Sequence, residues 1–389
     1  MSTKDEPAAQ DPVPFVGLSE QGARLRARIE DRFRQILDHG RYVMGPEVEE
    51  LEERLQERSG ASRALAVSSG TDALLMPLMA EGVGPGDAVF VPSFTFTATA
   101  EVALLCGAEP VFVDVDRATY NLDVASLEHE FERVCAEGRL RPKALLAVDL
   151  FGLPADYETL GPWCQERGIV LIADAAQSFG GAARIGEEDV EIGAMAPYTS
   201  TSFYPAKPLG GYGDGGAVFA MDEAKAAELS SIRQHGYGER AYEIVRVGLN
   251  GRLDSLQAAV LLEKLEVFDE ELDQRDELAR AYTEGLSSLG DRLACPLRPA
   301  GVRCAWAQYT IQVDERDRVQ TELRAAGVPS VVYYPLPMHQ QPAYAPYAAG
   351  ALPVSEELCS RVLSLPMNPY QTAEHTERVI AAVRDAAGG

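Results

Sequence analysis

The chain has 389 residues, 46% of them hydrophobic, enough for one large α/β domain and a smaller companion. Its formal net charge is −25, which argues against nucleic acid or an anionic membrane as a partner, and no apolar run approaches the length of a bilayer span. Six cysteines without paired spacing and five dispersed histidines point to reduced thiols and no metal centre.

In chain order, 1–15 is polar, proline-containing and without signal-peptide character, so it is expected to be a frayed tail of a cytoplasmic protein. Apolar residues then recur every three or four positions from Leu18 to Ser59, predicting two helices separated at Gly45-Pro46. Seven short apolar segments follow, with helical patterns between several of them: Ala64–Ser68, Ala88–Val91, Pro110–Val115, Ala144–Val148, Ile169–Ala173, Tyr198–Tyr204 and Ala217–Ala220. That alternation predicts a mainly parallel seven-stranded sheet between helices, with ligands bound beyond the carboxyl ends of the strands. Gly180–Met195 reads as a surface loop. A long helix is expected from Leu253 to Ser288, with Asp254, Gln257 and Lys264 on its polar side. It would link a large domain, 16–260, to a smaller α+β domain, 261–389. There, Cys304–Val313 and Val328–Tyr333 read as strands, and Ser355–Leu363 and Thr372–Ala387 as helices.

The segment richest in chemistry is Ser202-Phe-Tyr-Pro-Ala-Lys-Pro-Leu-Gly-Gly-Tyr-Gly-Asp-Gly-Gly216. Its lysine, Lys207, has apolar and aromatic neighbours and no acidic residue before Asp214. Desolvation lowers the proton affinity of such an amine and makes it a nucleophile for carbonyl carbon, which suits a Schiff base with pyridoxal phosphate. A solvated surface lysine is the plainer alternative. Ser68-Ser-Gly-Thr-Asp72 joins a strand to a helix. Gly70 allows the turn, and the amides of Thr71 and Asp72 would face an anion at the helix N-terminus, although ordinary capping has the same signature. Neither a dinucleotide nor a P-loop glycine pattern is present. Asp174 closes an apolar strand, where a carboxylate needs a cationic partner such as a pyridinium N–H, unless it caps a helix. In Ser93-Phe-Thr-Phe-Thr97, Phe96 is the candidate to stack on an aromatic ring, and core packing is the alternative.

Phosphate turn, stacking aromatic, strand-end aspartate and glycine-flanked lysine, in this order, resemble the fold-type I pyridoxal phosphate enzymes. More narrowly, the chain resembles the DegT/StrS family of sugar-nucleotide aminotransferases. The likeness runs from Gly40-Arg-Tyr-Val-Met-Gly-Pro-Glu47 through Val247-Gly-Leu-Asn-Gly-Arg252 to Leu363-Ser-Leu-Pro-Met-Asn-Pro369. Within the family it is most similar to enzymes that aminate C3 of a UDP-3-keto-2-acetamido-glucuronate. The resemblance implies that Lys207 carries the cofactor and moves the proton, and that Asp174 holds the pyridine nitrogen. Gln177 would lie beside the ring, with Gly70, Thr71 and Ser202 at the phosphate. Asn250 would reach in from a partner subunit, implying a homodimer with shared active sites. Arg252, Tyr334 and His339 are the candidates for substrate contacts, a salt bridge to Asp254 being the alternative for Arg252. Ala206 and Tyr333 depart from common residues of the family, which implies an altered sugar pocket.

The implied reaction moves an amino group from L-glutamate, released as 2-oxoglutarate, to a nucleotide-linked keto sugar, at C3 or C4 of a hexose or hexuronate, for amino-sugar and surface-polysaccharide or glycoside biosynthesis. A ketocyclitol aminotransferase and a non-catalytic binding or regulatory protein are the alternatives. A dehydratase of the same fold is disfavoured, because those relatives replace the lysine by histidine.

Overall fold

The computed structural model describes residues 12–240 and 242–388. Residues 1–11 of the expected tail lie outside them, but the end of that stretch is anchored. Val13 is buried in the core of the C-terminal region, and the carbonyl of Phe15 accepts from the amide of Met367 at 3.1 Å.

Two helices come first, α1 (Leu18–His39) and α2 (Pro46–Ser59), as the periodicity predicts. The segments β1 (Arg63–Val67), β2 (Asp87–Pro92), β3 (Glu109–Val113), β4 (Arg141–Val148) and β5 (Val170–Asp174) are strands. They alternate with α3 (Gly70–Ala80), α4 (Ala98–Leu105), α5 (Val124–Glu137) and α6 (Tyr157–Arg167). The next two strands, β6 (Ala182–Ile185) and β7 (Glu188–Glu191), form a hairpin inside the stretch expected to be a loop. Then β8 (Tyr198–Ser202) and β9 (Gly216–Ala220) complete a seven-stranded sheet of order β1-β9-β8-β5-β4-β2-β3. Only β9 runs antiparallel to its neighbours. Its strands are apolar on both faces because each face packs on a helical layer, and the two resulting cores, around Phe90, Leu145 and Phe219 on one side and Val89, Leu146 and Val218 on the other, hold the sheet rigid.

After α7 (Glu223–Arg233), the expected long helix is two. α8 (Ser255–Leu265) packs with α1 and α2, and α9 (Phe268–Leu286) begins after a break at Glu266–Val267. The C-terminal part of the chain contains β10 (Leu293–Ala294), β11 (Val302–Arg303), β12 (Tyr309–Val313), α10 (Arg316–Ala325), α11 (Pro353–Arg361), β13 (Val362–Leu365) and α12 (Ala373–Gly388). The expected strand Cys304–Val313 is shorter, and β11 is drawn away to pair with β6. Val328–Tyr333 forms no strand, only an isolated bridge from Val331 to Ser364. The helix expected over Ser355–Leu363 stops at Arg361, because Val362 to Leu365 are needed to pair with β12 and fill the apolar core between α9, α10 and α12.

Candidate active site

The C-terminal ends of the parallel strands bring the sequence candidates together. Beyond β1, Ser69 caps α3: its hydroxyl accepts from the amide of Asp72 at 3.0 Å, while the hydroxyl of Ser68 bonds the Asp72 carboxylate. Gly70 is the first residue of α3, without a left-handed φ, so a turn is not why it is glycine. The reason is Ser202 at the end of β8. A Cβ on residue 70 would lie 2.7 Å from the Ser202 Cβ. The helix N-terminus, with Thr71 partly exposed in its first turn, therefore opens beside the Ser202 hydroxyl, which accepts from the amide of Tyr204 at 3.2 Å. Free amides, two hydroxyls and the positive end of the helix dipole suit a phosphate. Gly70→Ala should weaken cofactor binding by about tenfold, ~1–2 kcal/mol for a crowded packing site, as read by absorbance titration. Gly84→Ala, whose Cβ would have no neighbour nearer than 3.8 Å, should not; equal affinities in the two variants would move the phosphate elsewhere.

Asp174 ends β5 and is 5% exposed. A turn, not a helix, follows it, which removes the helix-cap alternative. One carboxylate oxygen accepts from the Thr99 hydroxyl at 2.7 Å and the other from the Ala176 amide at 3.2 Å. Burial still pushes its pKa up, against those two donors and the charge of Lys207. A cation in direct contact is what this carboxylate lacks, and a protonated pyridine nitrogen would supply one. Burial pushes Lys207 in the opposite direction, below the ordinary lysine range, with the Asp174 charge opposing. The residue retains partial surface exposure, so the desolvation belongs to the amine. A strand-end acid and a desolvated amine within each other's field form the centre of the site.

Phe96 is 55% exposed and free to meet a ligand, whereas Phe94 is buried in a cluster with Tyr120, Phe151 and Tyr334. Gln177 bridges between elements. Its Oε1 accepts from the Phe151 amide at 2.7 Å and its Nε2 donates to the Tyr334 hydroxyl at 3.3 Å. That bond places Tyr334 in the site, its ring centroid 6.4 Å from that of Phe96.

Three further candidates have partners that the sequence did not reveal or surroundings of their own. His339 is 4% exposed, with Nδ1 2.7 Å from the Ser93 hydroxyl and Nε2 3.2 Å from Glu356, so both ring nitrogens have partners that tie this stretch to the end of β2. Arg252 makes no bridge to Asp254, which instead caps α8 through the amide of Gln257. It donates through Nη2 to Asn250 Oδ1 at 2.5 Å and pairs with Val67 at the mouth of the phosphate turn. Asn250 itself is exposed, so nothing among the described residues encloses it.

The sequence reading missed how the lysine loop is held. Lys264 is not on a polar face but 1% exposed, its ammonium donating to the Gly210 carbonyl at 2.5 Å and lying 4.7 Å above the Tyr212 ring. Burial brings its pKa down to about 8, opposed by the charge of Glu271. Two turns earlier on α8, Gln257 Oε1 accepts from the Tyr212 amide at 2.8 Å. α8 thus grips the Lys207 loop at two points.

Comparison with known proteins places these features in company. The description DegT/DnrJ/EryC1/StrS aminotransferase family matches residues 23–384. The UDP-2-acetamido-2-deoxy-3-oxo-D-glucuronate aminotransferase of Pseudomonas aeruginosa is 43% identical over 371 residues, covering 95% of this chain and 99% of the relative. A crystal structure of a DegT/DnrJ/EryC1/StrS aminotransferase from Brucella abortus superposes with a TM-score of 0.93 at 50% identity, over 96% of this chain and 99% of that one. NtdA of Bacillus subtilis, solved with its cofactor PMP bound, gives 0.88 at 27% identity, over 99% and 87%.

Proposed function

This chain belongs to the DegT/DnrJ/EryC1/StrS aminotransferase family, and from that premise we propose that it transfers the amino group of L-glutamate to the C3 ketone of a UDP-linked sugar. It is an aminotransferase of the pyridoxal phosphate fold. The observation that carries the reading is the opposition of Asp174 and Lys207 beside the Gly70–Ser202 cradle.

The bound cofactor supplies an electron sink for the pair left when a proton is removed next to nitrogen. The chain's own residues do the rest. The α3 N-terminus, Thr71 and Ser202 would anchor the phosphate. Asp174 would keep the ring nitrogen protonated, and Phe96 would cover a ring face. Lys207, with its proton affinity lowered by desolvation, would take the proton from the donor carbon and return it to the carbon on the far side of the nitrogen. Run in reverse, the same steps aminate the acceptor ketone. The preference for a UDP-linked 3-keto sugar, and for a hexuronate among them, rests on the relative from Pseudomonas aeruginosa. Arg252 and Tyr334, close to the cradle and to Gln177, would face the sugar.

Asn250 would act across a homodimer. The support is its exposure, together with that of Tyr242, Ile244, Val245 and Val247 on the same excursion of the chain, an apolar strip that a second copy would cover. The cytoplasm suits six free cysteines, and no helix among the described residues is long and apolar enough to cross a membrane.

The test is incubation with glutamate and a panel of UDP-, dTDP- and GDP-linked 3- and 4-keto sugars and inositol ketones, products read by mass spectrometry. Amination of a UDP-linked 3-ketone, by a particle of twice the 42.1 kDa chain mass in light scattering, is the expected result. Transfer to an inositol ketone alone would overturn the substrate.

A further inference from the structure

Asp149 is the most deeply buried carboxylate near the site, with none of its surface exposed, and no role has been given to it so far. It follows β4 directly, one strand over from Asp174, and its amide donates to the Asp174 carbonyl at 3.0 Å. Its side chain is fixed by three donors. The Tyr157 hydroxyl at 2.7 Å and the Ala155 amide at 2.8 Å bond Oδ1, and the Ser178 hydroxyl at 2.6 Å bonds Oδ2. These donors come from both sides of the site: Tyr157 opens α6, and Ser178 follows Gln177. No cation is among them.

A buried acid held only by neutral groups is a poor choice for stability alone, since an asparagine could keep both bonds at Oδ1 and donate its amide to the Ser178 hydroxyl without the cost of a buried charge. Its position suggests why the acid is kept. We propose that Asp149 is a positioning residue for the cofactor: a second carboxylate whose negative charge adds to that of Asp174 in holding a protonated ring nitrogen. This rests on the reading of Asp174 as the carboxylate that meets that nitrogen.

The ionisable groups around Asp149 sharpen the idea. Tyr157 from α6 and Cys304 from the chain before β12 are both pushed upward by burial, Tyr157 well above its ordinary value and Cys304 up to about 12, so both stay neutral near pH 7. Asp174 from β5 is the charged neighbour, itself facing Lys207. Burial pushes Asp149 up to about 7, lowered somewhat by Ser178, Tyr157 and Ala155 and raised further by Asp174. Without cofactor the acid therefore gains charge as pH passes neutrality. A cation arriving at Asp174 favours the charged form of both acids, so the help Asp149 gives should appear only as pH rises.

The experiment compares the affinity of pyridoxal phosphate for the apoprotein and for Asp149→Asn across pH, by fluorescence titration rather than activity. The ratio of dissociation constants, variant over wild type, is expected to be near one at about pH 5.5 and to reach about tenfold at about pH 8.5, the equivalent of one pKa unit of interaction. In Ser178→Ala, which keeps the charge but removes a donor to it, the rise in affinity that depends on Asp149 should move to higher pH. The melting temperature of the cofactor-free Asn variant, relative to wild type, should increase from pH 5.5 to 8.5, because only the wild type then buries a charge. A ratio that stays flat with pH makes Asp149 a structural brace and overturns the inference. An Asp174→Asn protein that binds cofactor as well as wild type would overturn the underlying reading as well, which separates the two failures.

Discussion

Lys207→Ala is expected to lose the yellow absorbance of lysine-bound cofactor and to lower turnover by about 10⁴-fold or more, since one amine serves as both nucleophile and proton carrier and a positioned acid–base group alone is worth up to about that factor. The fold should survive. Lys207 lies in a loop whose backbone is fastened independently, by the Lys207 amide to the Tyr204 carbonyl at 2.8 Å, the Gly211 amide to the Phe203 carbonyl at 2.7 Å, and the grip of α8. Melting temperature without cofactor should be unchanged or higher, because a desolvated amine is removed. Single-turnover absorbance with glutamate checks the result. Turnover at the wild-type rate would show that another group carries the proton.

Asp174→Asn is expected to cost about 10³-fold in turnover, some 4 kcal/mol of the barrier, with a much smaller effect on the Michaelis constant for glutamate. The amide can still accept from Thr99, so the local geometry should persist. What disappears is the charge that keeps the ring nitrogen protonated. The cofactor-free protein should report the same acid with the opposite sign. Burial raises the folded-state pKa of Asp174, so its contribution favours folding fully below the ordinary carboxylate range and fades as pH climbs through the raised value. The apoprotein should therefore lose stability with rising pH more steeply in the wild type than in Asp174→Asn, as thermal melts at several pH values will show. Equal slopes would mean that Asp174 keeps its ordinary acidity in the folded protein.

Much of this site was legible before any coordinates, for a definite reason. Fully covered parallel strands are apolar throughout, so Ile169–Ala173 and Ala144–Val148 stand out, and a polar residue at their ends has to be explained. Asp174 was singled out by that logic, and Lys207 by the apolar and aromatic neighbours of its glycine- and proline-rich loop. Asp149 obeys it equally, ending an apolar strand, and passed unnoticed because it lies in no cofactor motif. Other features left no local trace. The break between α8 and α9 occurs without proline or glycine, so helical periodicity runs straight across Glu266 and Val267. Lys264 looked solvated because lysine usually is, yet from Ala258 to Leu265 every residue of α8 is buried, and the distant Gly210 carbonyl and Tyr212 ring explain a cation there. The β6–β7 hairpin, with Arg184, Glu187, Glu188 and Asp189, reads as a charged loop because its pairing partner β11 lies more than a hundred residues away. His339 sat in a family pattern, and nothing local in the sequence foretold its contacts with Ser93 and Glu356.

The grip of α8 on the lysine loop has a mechanical consequence. α8 is moored to α1 through Glu263, which meets Arg28 and Arg32, and it ends before the chain turns into the C-terminal half. The reacting nitrogen is thus geared to the strands and not to the half of the molecule that supplies Tyr334. The amine thus takes its aim from helices packed on the sheet, so that a ligand entering the site meets a group already in place.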